Sequence, residues 1–535
     1  MAATQTTLEG LSATLACLPY GAGRDQEGLC LLVRMGPYRL LLDCGRLPPL
    51  TAEQPPADWA ICSHAHADHA HGFLGLHRRY PQLPIYTSEP TGTLLTLNWP
   101  EEAVEPFWQT LAWRSPLQLA PDLQVQLFPA GHLPGAAAVL LAYQTPERPY
   151  TLLYTGDFFL SNSRLVEGLS LESLRNLAPD VLIVGGRYGT ARHPRRRQLE
   201  KQFLAQIEEA LMRDHSVLLP VPPLGLGQEI LMLLRSHHQF TGRDLDIWVA
   251  GQVASACDRY LELLPQLPAA VQNFARHQPL FWDDRVLPRV QRFQPDRSLG
   301  PTRFPCLLLT DDGRAWQACR DRSRWLLLRP EGLDPATEFP GWSEELAALP
   351  QESYLLPDHS DGRNTTQLIH NIRPQHAVFI RGKAADLADL TSLEELQSRY
   401  QLHSPAAGTV VELPVGDRFL QPETPPARPL EGEIEETEHG LSITLPLSLA
   451  ASPRWAHFAD TGLVEARWQG EELVLRGLSQ RELLRQTQAP PLRADGDCCR
   501  QCRYQQGQRC GNPRSPLYGF KVLPEGYCPA FAARL

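Results

Sequence analysis

The chain has 535 residues, 43% of them hydrophobic, and a formal net charge of −10 at pH 7. That length predicts more than one folded unit and that composition supplies real cores, while the acidic balance argues against indiscriminate coating of nucleic acid but leaves room for a local basic groove. No apolar run is long enough for a membrane helix and no basic-then-apolar leader opens the chain, so a cytoplasmic protein with no membrane partner is expected.

Residues 13–45 alternate short apolar runs with Gly-rich turns and predict hairpin strands, including 29–33 and 38–42, that end at Asp43-Cys44-Gly45. Residues 58–62 predict a short buried strand, and an amphipathic helix is expected over 69–80. Further strands are expected at 84–87, 124–128, 137–143 and 150–155, and helices at 89–98 and 170–176. A charged amphipathic helix over 194–213 leads to a buried strand at 217–221, a helix over 227–236, a strand at 246–250 and a helix over 254–264. Strands at 305–310 and 325–328, a helix over 364–371 and a strand at 377–380 follow. Alternating strands and helices predict an α/β layered fold. Residues 420–440 are rich in Pro and Glu and read as a linker; 463–468 and 472–475 predict a hairpin, followed by a short helix.

Between the strand at 58–62 and the next helix lies Ser63-His64-Ala65-His66-Ala67-Asp68-His69. On a strand-to-helix loop His64 and His66 point the same way, because side chains alternate, and Asp68 and His69 turn to a second direction. Neutral imidazole and carboxylate are ligands that zinc takes at about 2.0–2.2 Å, so one loop could serve two adjacent metals. Gly131-His132-Leu133-Pro134-Gly135 and Thr155-Gly156-Asp157 place a histidine and a carboxylate on Gly-bounded turns, and Asp43 ends a buried strand. Taken singly, each of these is ordinary turn chemistry. Their order and strand-end placement after the histidine loop group them.

Here the chain resembles the metallo-β-lactamase superfamily, which implies an αββα sandwich with a metal site at one sheet edge. The resemblance implies that His64, His66 and His132 hold one zinc, that Asp68 and His69 hold another with Asp157 between them, and that Asp43 orients the loop from behind. A paired zinc site activates water near neutral pH and clamps the oxygens of an in-line displacement. Residues Val217–Glu229 are similar to the strand–loop–helix of the β-CASP cassette of nucleases that process RNA or repair DNA, although Leu226 stands where that family usually has arginine. Asp358-His359-Ser360-Asp361 resembles the family's histidine motif. The resemblance covers residues 13–415 and implies a sandwich over 1–195 and 351–420, an inserted cassette over 196–350, and RNA threading the cleft between them. A linker over 421–440, a hairpin module over 441–490 and a Cys-rich tail over 491–535 would follow. Asp68 and His359 are then the expected catalytic residues.

Two departures stand out. Nuclease members carry an acid before a Ser-Thr-Tyr-Gly-like stretch; Gly185-Gly186-Arg187-Tyr188-Gly189 has none, so the carboxylate expected to face His359 is missing. They also end the strand after His359 with a histidine for the second zinc, where this chain has Arg381. Arginine donates only and cannot ligate zinc. Two unit positive charges 4 Å apart cost roughly 4 kcal/mol at an effective dielectric of 20. The second metal is therefore expected to be weak or absent. Arg381 and Arg187 then replace it as a clamp on phosphate in a mono-zinc RNA hydrolase. The alternative is a catalytically weakened paralogue that binds RNA as a scaffold, as a homo-oligomer or beside another β-CASP protein. A small-molecule thioester hydrolase is the third class, and the cassette counts against it because small substrates need no second lobe. The run Arg192-His193-Pro194-Arg195-Arg196-Arg197 suits backbone phosphate, or simply a solvated helix start.

Five of the twelve cysteines fall in the last 38 residues. Cys499-Arg500-Gln501-Cys502 followed by Cys510 and Cys528, in a Gly- and Pro-rich tail, has the donors of a zinc or [4Fe–4S] site, with Cys498 spare. So short a tail has little core of its own, and metal is expected to order it.

Overall fold

The computed structural model describes residue 8 and residues 13–416 apart from 25–26, 51–53, 176, 295–300, 302 and 320–321. It also describes strands at 433–437, 440–444, 464–469 and 472–477, and residues 499–533 apart from 508, 516, 520–521 and 523–529. The chain divides into two units, Met1–Pro422 and Glu423–Leu535.

In the first unit two seven-stranded sheets pack face to face. One runs Val411–Glu412, Leu15–Ala22, Leu29–Met35, Tyr38–Leu42, Trp59–Ile61, Ile85–Ser88, Gln109–Leu111. The other runs Gln401–His403, His376–Ile380, Val181–Gly185, Pro149–Tyr154, Ala137–Gln144, Leu123–Pro129, Leu117–Ala120. Alternation decides which side chain goes where. Leu15 and Cys17 enter the core between the sheets with Leu42, Val125, Val139 and Ile183, while Ala16 and Leu18 face the outer layer that also buries Phe73, Leu76 and Leu94 of the covering helices. This is the αββα sandwich expected from the sequence.

A third sheet has six strands in the order Arg289–Arg292, Asp246–Val249, Leu307–Thr310, Ser216–Pro220, Trp325–Pro330, Gln351–Tyr354. Every pairing in it is parallel. Its four inner strands are mostly apolar runs, as parallel strands covered on both faces require, while the edge strands Arg289–Arg292 and Gln351–Tyr354 are polar. It interrupts the second sandwich sheet, which resumes when His376–Ile380 pairs in parallel with Val181–Gly185. Gln351–Tyr354 still belongs to this third sheet, so its last strand lies beyond residue 350, where the sequence reading ended the cassette.

The helix expected over 69–80 is broken into Ala67–Ala70 and Phe73–Arg79. Gly72 causes the break: its N–H donates to the Cys44 carbonyl at 2.7 Å, and a Cβ there would stand 2.7 Å from that oxygen. Val181–Gly185 was not foreseen, because a short all-apolar run carries no period.

The second unit contains two antiparallel ladders, Glu433–Thr437 with Gly440–Thr444 and Val464–Gln469 with Glu472–Gly477. The first corrects the expected linker over 421–440: Ile434 and Ile443 pair across it, an alternation that the glutamates masked in composition. The short helix expected after the second ladder lies outside the described residues. No helix among the described residues is long and apolar enough to cross a membrane.

Candidate metal centre

Asp43 follows the strand Tyr38–Leu42, the histidine loop follows Trp59–Ile61, His132 follows Leu123–Pro129 and Asp157 follows Pro149–Tyr154. Asp358 and His359 follow Gln351–Tyr354, and Arg381 follows His376–Ile380. Strand ends from all three sheets therefore meet in one cluster.

Asp43 adopts left-handed backbone, φ +58°, and is fully buried. Its Oδ1 accepts the Ser63 N–H at 2.6 Å; its Oδ2 accepts the Ser63 hydroxyl at 2.7 Å and faces His69 Nδ1 at 2.7 Å, and the Tyr154 hydroxyl also donates to it. Asp43 thus contacts both ends of the histidine loop. Sequence reasoning missed Ser63 and Tyr154, which nothing marks before folding brings them to Asp43.

His64, His66, His132 and Asp157 each bring one possible ligand atom within 4.8 Å of the others. His66 Nδ1 and His132 Nε2 are 3.0 Å apart, and His64 Nε2 lies 3.9 Å from Asp157 Oδ2. On the far side of each ring an oxygen holds the other nitrogen: Ser63 Oγ at 3.0 Å from His64 Nδ1, the Leu224 carbonyl at 3.4 Å from His66 Nε2, and the Asp358 carbonyl at 2.9 Å from His132 Nδ1. Such partners fix the tautomer that turns a lone pair toward a metal. Burial, then the neighbouring imidazoles, hold His64 well below the usual histidine range and bring His132 down to about 3. Burial also lowers His66, so all three rings favour the neutral ligand form. His64 Nε2 and Asp157 Oδ1 are buried with no hydrogen-bond partner among the described residues. Orphaned buried acceptors on two residues of this cage fit a divalent cation.

The other expected site differs. Arg381, also in left-handed backbone (φ +59°), forms an ion pair with Asp68 and places Nε 3.3 Å from Asp157 Oδ2. Burial pushes the Asp68 carboxyl up, but Arg381, then His69 and His66, outweigh it and the net direction is down. Burial likewise disfavours a charged His69, yet Asp157 at 3.4 Å from its Nε2 and Asp43 raise it to about 10. Asp68 joins none of the possible metal-binding groups among the described residues.

His359 Nε2 lies 2.8 Å from Asp157 Oδ2 and its Nδ1 2.5 Å from Asp358 Oδ1. Position 185 supplies no acid, as read from the sequence, yet His359 faces two carboxylates from elsewhere, Asp157 and Asp358, the latter the residue before it. Arg187 is exposed and pairs with none of these carboxylates among the described residues. Arg196, of the basic run, is taken up by Glu200, Glu229 and the Pro357 carbonyl. In the tail Cys499, Cys502 and Cys510 are buried, and Cys499 and Cys510 share a small cluster with Leu517 and Val522; Cys528 lies outside the described residues.

Fold and site together define an αββα sandwich with a cluster of groups able to hold a metal ion, carrying an inserted parallel-sheet lobe. Residues 38–209 match the β-lactamase superfamily domain. The chain is 51% identical to the uncharacterized protein sll0514 of Synechocystis sp., over 97% of each chain. It is 30% identical to the probable RNase MJ4 of Methanocaldococcus jannaschii, over 41% of this chain and 56% of that one. It is 27% identical to the RNase J-like protein of the same archaeon, over 56% and 72%. The chain belongs to the metallo-β-lactamase superfamily, in its β-CASP branch, and the hydrolase class expected from the sequence stands on these matches.

Proposed function

We propose that the protein is a zinc-dependent RNA phosphodiester hydrolase that works with one metal ion, held by His64, His66, His132 and Asp157. The observation that carries this reading is the guanidinium of Arg381 among the oxygens of Asp68 and Asp157, where a second cation would otherwise sit. Zinc at the intact cage supplies Lewis acidity toward water and a phosphoryl oxygen. Arg381 supplies a fixed positive charge that needs no metal, at the place where negative charge develops on phosphate. The ion pair with Asp68 helps to hold that guanidinium in place.

His359 is the proton donor to the leaving oxygen. Burial alone would lower its affinity for a proton, but Asp358 and Asp157 raise it to about 9, so it carries a proton at neutral pH. Arg187, exposed at the rim, and the exposed arginines of the 192–197 run are the candidate contacts to backbone phosphate away from the cleavage point. The ribonuclease names of the archaeal relatives favour RNA. Cys499, Cys502, Cys510 and Cys528 form a separate structural zinc or [4Fe–4S] site in the tail.

The test is cleavage of end-labelled RNA by metal-loaded protein, parent against His66→Ala, with metal content measured on both. Metal-dependent cleavage that disappears with His66→Ala is expected. Cleavage untouched by the substitution would overturn this assignment of the site. RNA binding with no cleavage by fully loaded parent protein would favour the scaffold reading instead.

A further inference from the structure

Asp358 holds two imidazoles at once, one with its side chain and one with its main chain. Its Oδ1 lies 2.5 Å from His359 Nδ1, and its carbonyl oxygen lies 2.9 Å from His132 Nδ1. The loop that carries it is pinned by its neighbours. The Ser360 N–H donates to the Phe158 carbonyl at 2.9 Å, and the Ser360 hydroxyl accepts the Leu160 N–H at 3.1 Å. Asp361 accepts the His193 N–H at 3.0 Å and caps the helix Gly362–Ile372 through the Asn364 N–H at 2.9 Å. Asp358 therefore sits on a fixed platform rather than a free loop. At Gly185, where the resemblance expects an acid, a Cβ would stand 3.1 Å from the Gly156 carbonyl and 3.5 Å from Asp157 Oδ1. That position offers no carboxylate, and Asp358, the residue before His359, has the geometry to provide one.

We propose that Asp358 is the positioning residue of this site, its carboxylate fixing the ring of His359 so that Nε2 faces Asp157 and the cleft, and its carbonyl fixing His132 with Nε2 toward the metal cage. The orientation argument is the same for both rings: a ring whose Nδ1–H donates to an oxygen is held in one orientation, and its other nitrogen is aimed. His132 is then a metal ligand by virtue of a main-chain contact that no side-chain substitution removes, whereas His359 depends on the Asp358 carboxylate itself. This inference rests on the hydrolase reading for its catalytic meaning, but the contact can be observed without catalysis.

The experiment compares the parent with Asp358→Ala, Asp358→Glu and His359→Ala, each in full-length zinc-loaded protein. Proton NMR is expected to show a strongly downfield imidazole N–H resonance in the parent that is absent in His359→Ala, lost in Asp358→Ala and recovered in Asp358→Glu. Zinc content should stay at the parent level in Asp358→Ala. On labelled RNA, kcat should fall ~10–100-fold with KM unchanged, and Asp358→Glu should recover part of it. A downfield resonance that persists in Asp358→Ala overturns the proposal, as does a zinc loss in that variant equal to that of His132→Ala. If the parent cleaves no RNA the hydrolase reading fails, and the resonance alone then decides the role of Asp358.

Discussion

Arg381 forms an ion pair with Asp68 inside the cluster, and the same guanidinium places Nε 3.3 Å from Asp157. A side-chain cation therefore takes the oxygens that a second metal would need. Replacing it should change metal binding, not merely local packing. Arg381→His removes the permanent charge and supplies an imidazole, and zinc bound at this cluster should rise from about one to about two ions by elemental analysis, counted above whatever metal the tail cysteines hold. An unchanged stoichiometry would dispose of the substitution account. Arg381→Ala leaves Asp68 without its cation, while Asp157 keeps His69 and His359, and should cost at most about 3–5 kcal/mol in urea unfolding of the metal-free protein.

Tyr154 reaches the cluster through Asp43, to which its hydroxyl donates. Tyr154→Phe keeps the ring in the inter-sheet core and removes that one donor. Asp43 retains its Ser63 and His69 partners, so the cost should be moderate, about 1–2 kcal/mol in unfolding. Zinc affinity should drop by ~10-fold or more, since the residue that orients the histidine loop is itself less firmly held. A competition titration with a chromophoric chelator measures this. Equal affinities would mean that Tyr154 serves the core alone.

The histidine loop was legible before folding because its chemistry is local: three imidazoles and an acid in one turn have few structural uses. Asp43, His132 and Asp157 were legible by their place at strand ends. What stayed hidden was contact made between distant segments. The carbonyls of Leu224 and Asp358 that hold His66 and His132 belong to no motif, because every residue has a carbonyl. Asp358 was visible as a letter beside His359, but which way it points depends on the pinned loop after Tyr354. The split of the expected helix at Gly72 has the same origin, a main-chain contact with Cys44 in the loop after Tyr38–Leu42. The ladder Glu433–Thr437 with Gly440–Thr444 escaped for a different reason, since charge-rich composition outweighed a short alternation.

Gly45 illustrates how closely main chains approach behind the site. A Cβ on it would stand 1.7 Å from the Asp68 carbonyl oxygen and 2.8 Å from the His69 nitrogen. These are backbone atoms, so no side-chain rotation can make room. Gly45→Ala should shift the Asp68–His69 segment and destabilise the protein by about 3 kcal/mol. Gly408→Ala, where nothing lies within 4 Å of the added carbon, is the control for a glycine in open space, although its φ of +77° carries a strain of its own. Zinc content should fall in Gly45→Ala and stay at the parent level in Gly408→Ala. If both variants bind zinc like the parent, the packing against Gly45 does not support the site.

Asp311 lies in the inserted lobe, buried at the end of Leu307–Thr310, and accepts the Val253 N–H at 3.2 Å. Burial raises its carboxyl from 3.8 to about 6, against the backbone donors that pull it down. The folded chain thus holds this proton more tightly than the unfolded chain does. The group's contribution to stability is therefore most favourable below about pH 4, is lost as pH rises toward 6, and stays lost above it. Asp311→Asn keeps an acceptor for Val253 and has no charge to bury. The variant should exceed the parent by about 1–3 kcal/mol at pH 7.5, with the difference shrinking toward pH 4.5. Urea unfolding of both proteins at the two pH values measures it. A difference that grows as pH falls would mean that the Asp311 carboxylate is favoured by its hydrogen bonds more than it is penalised by burial.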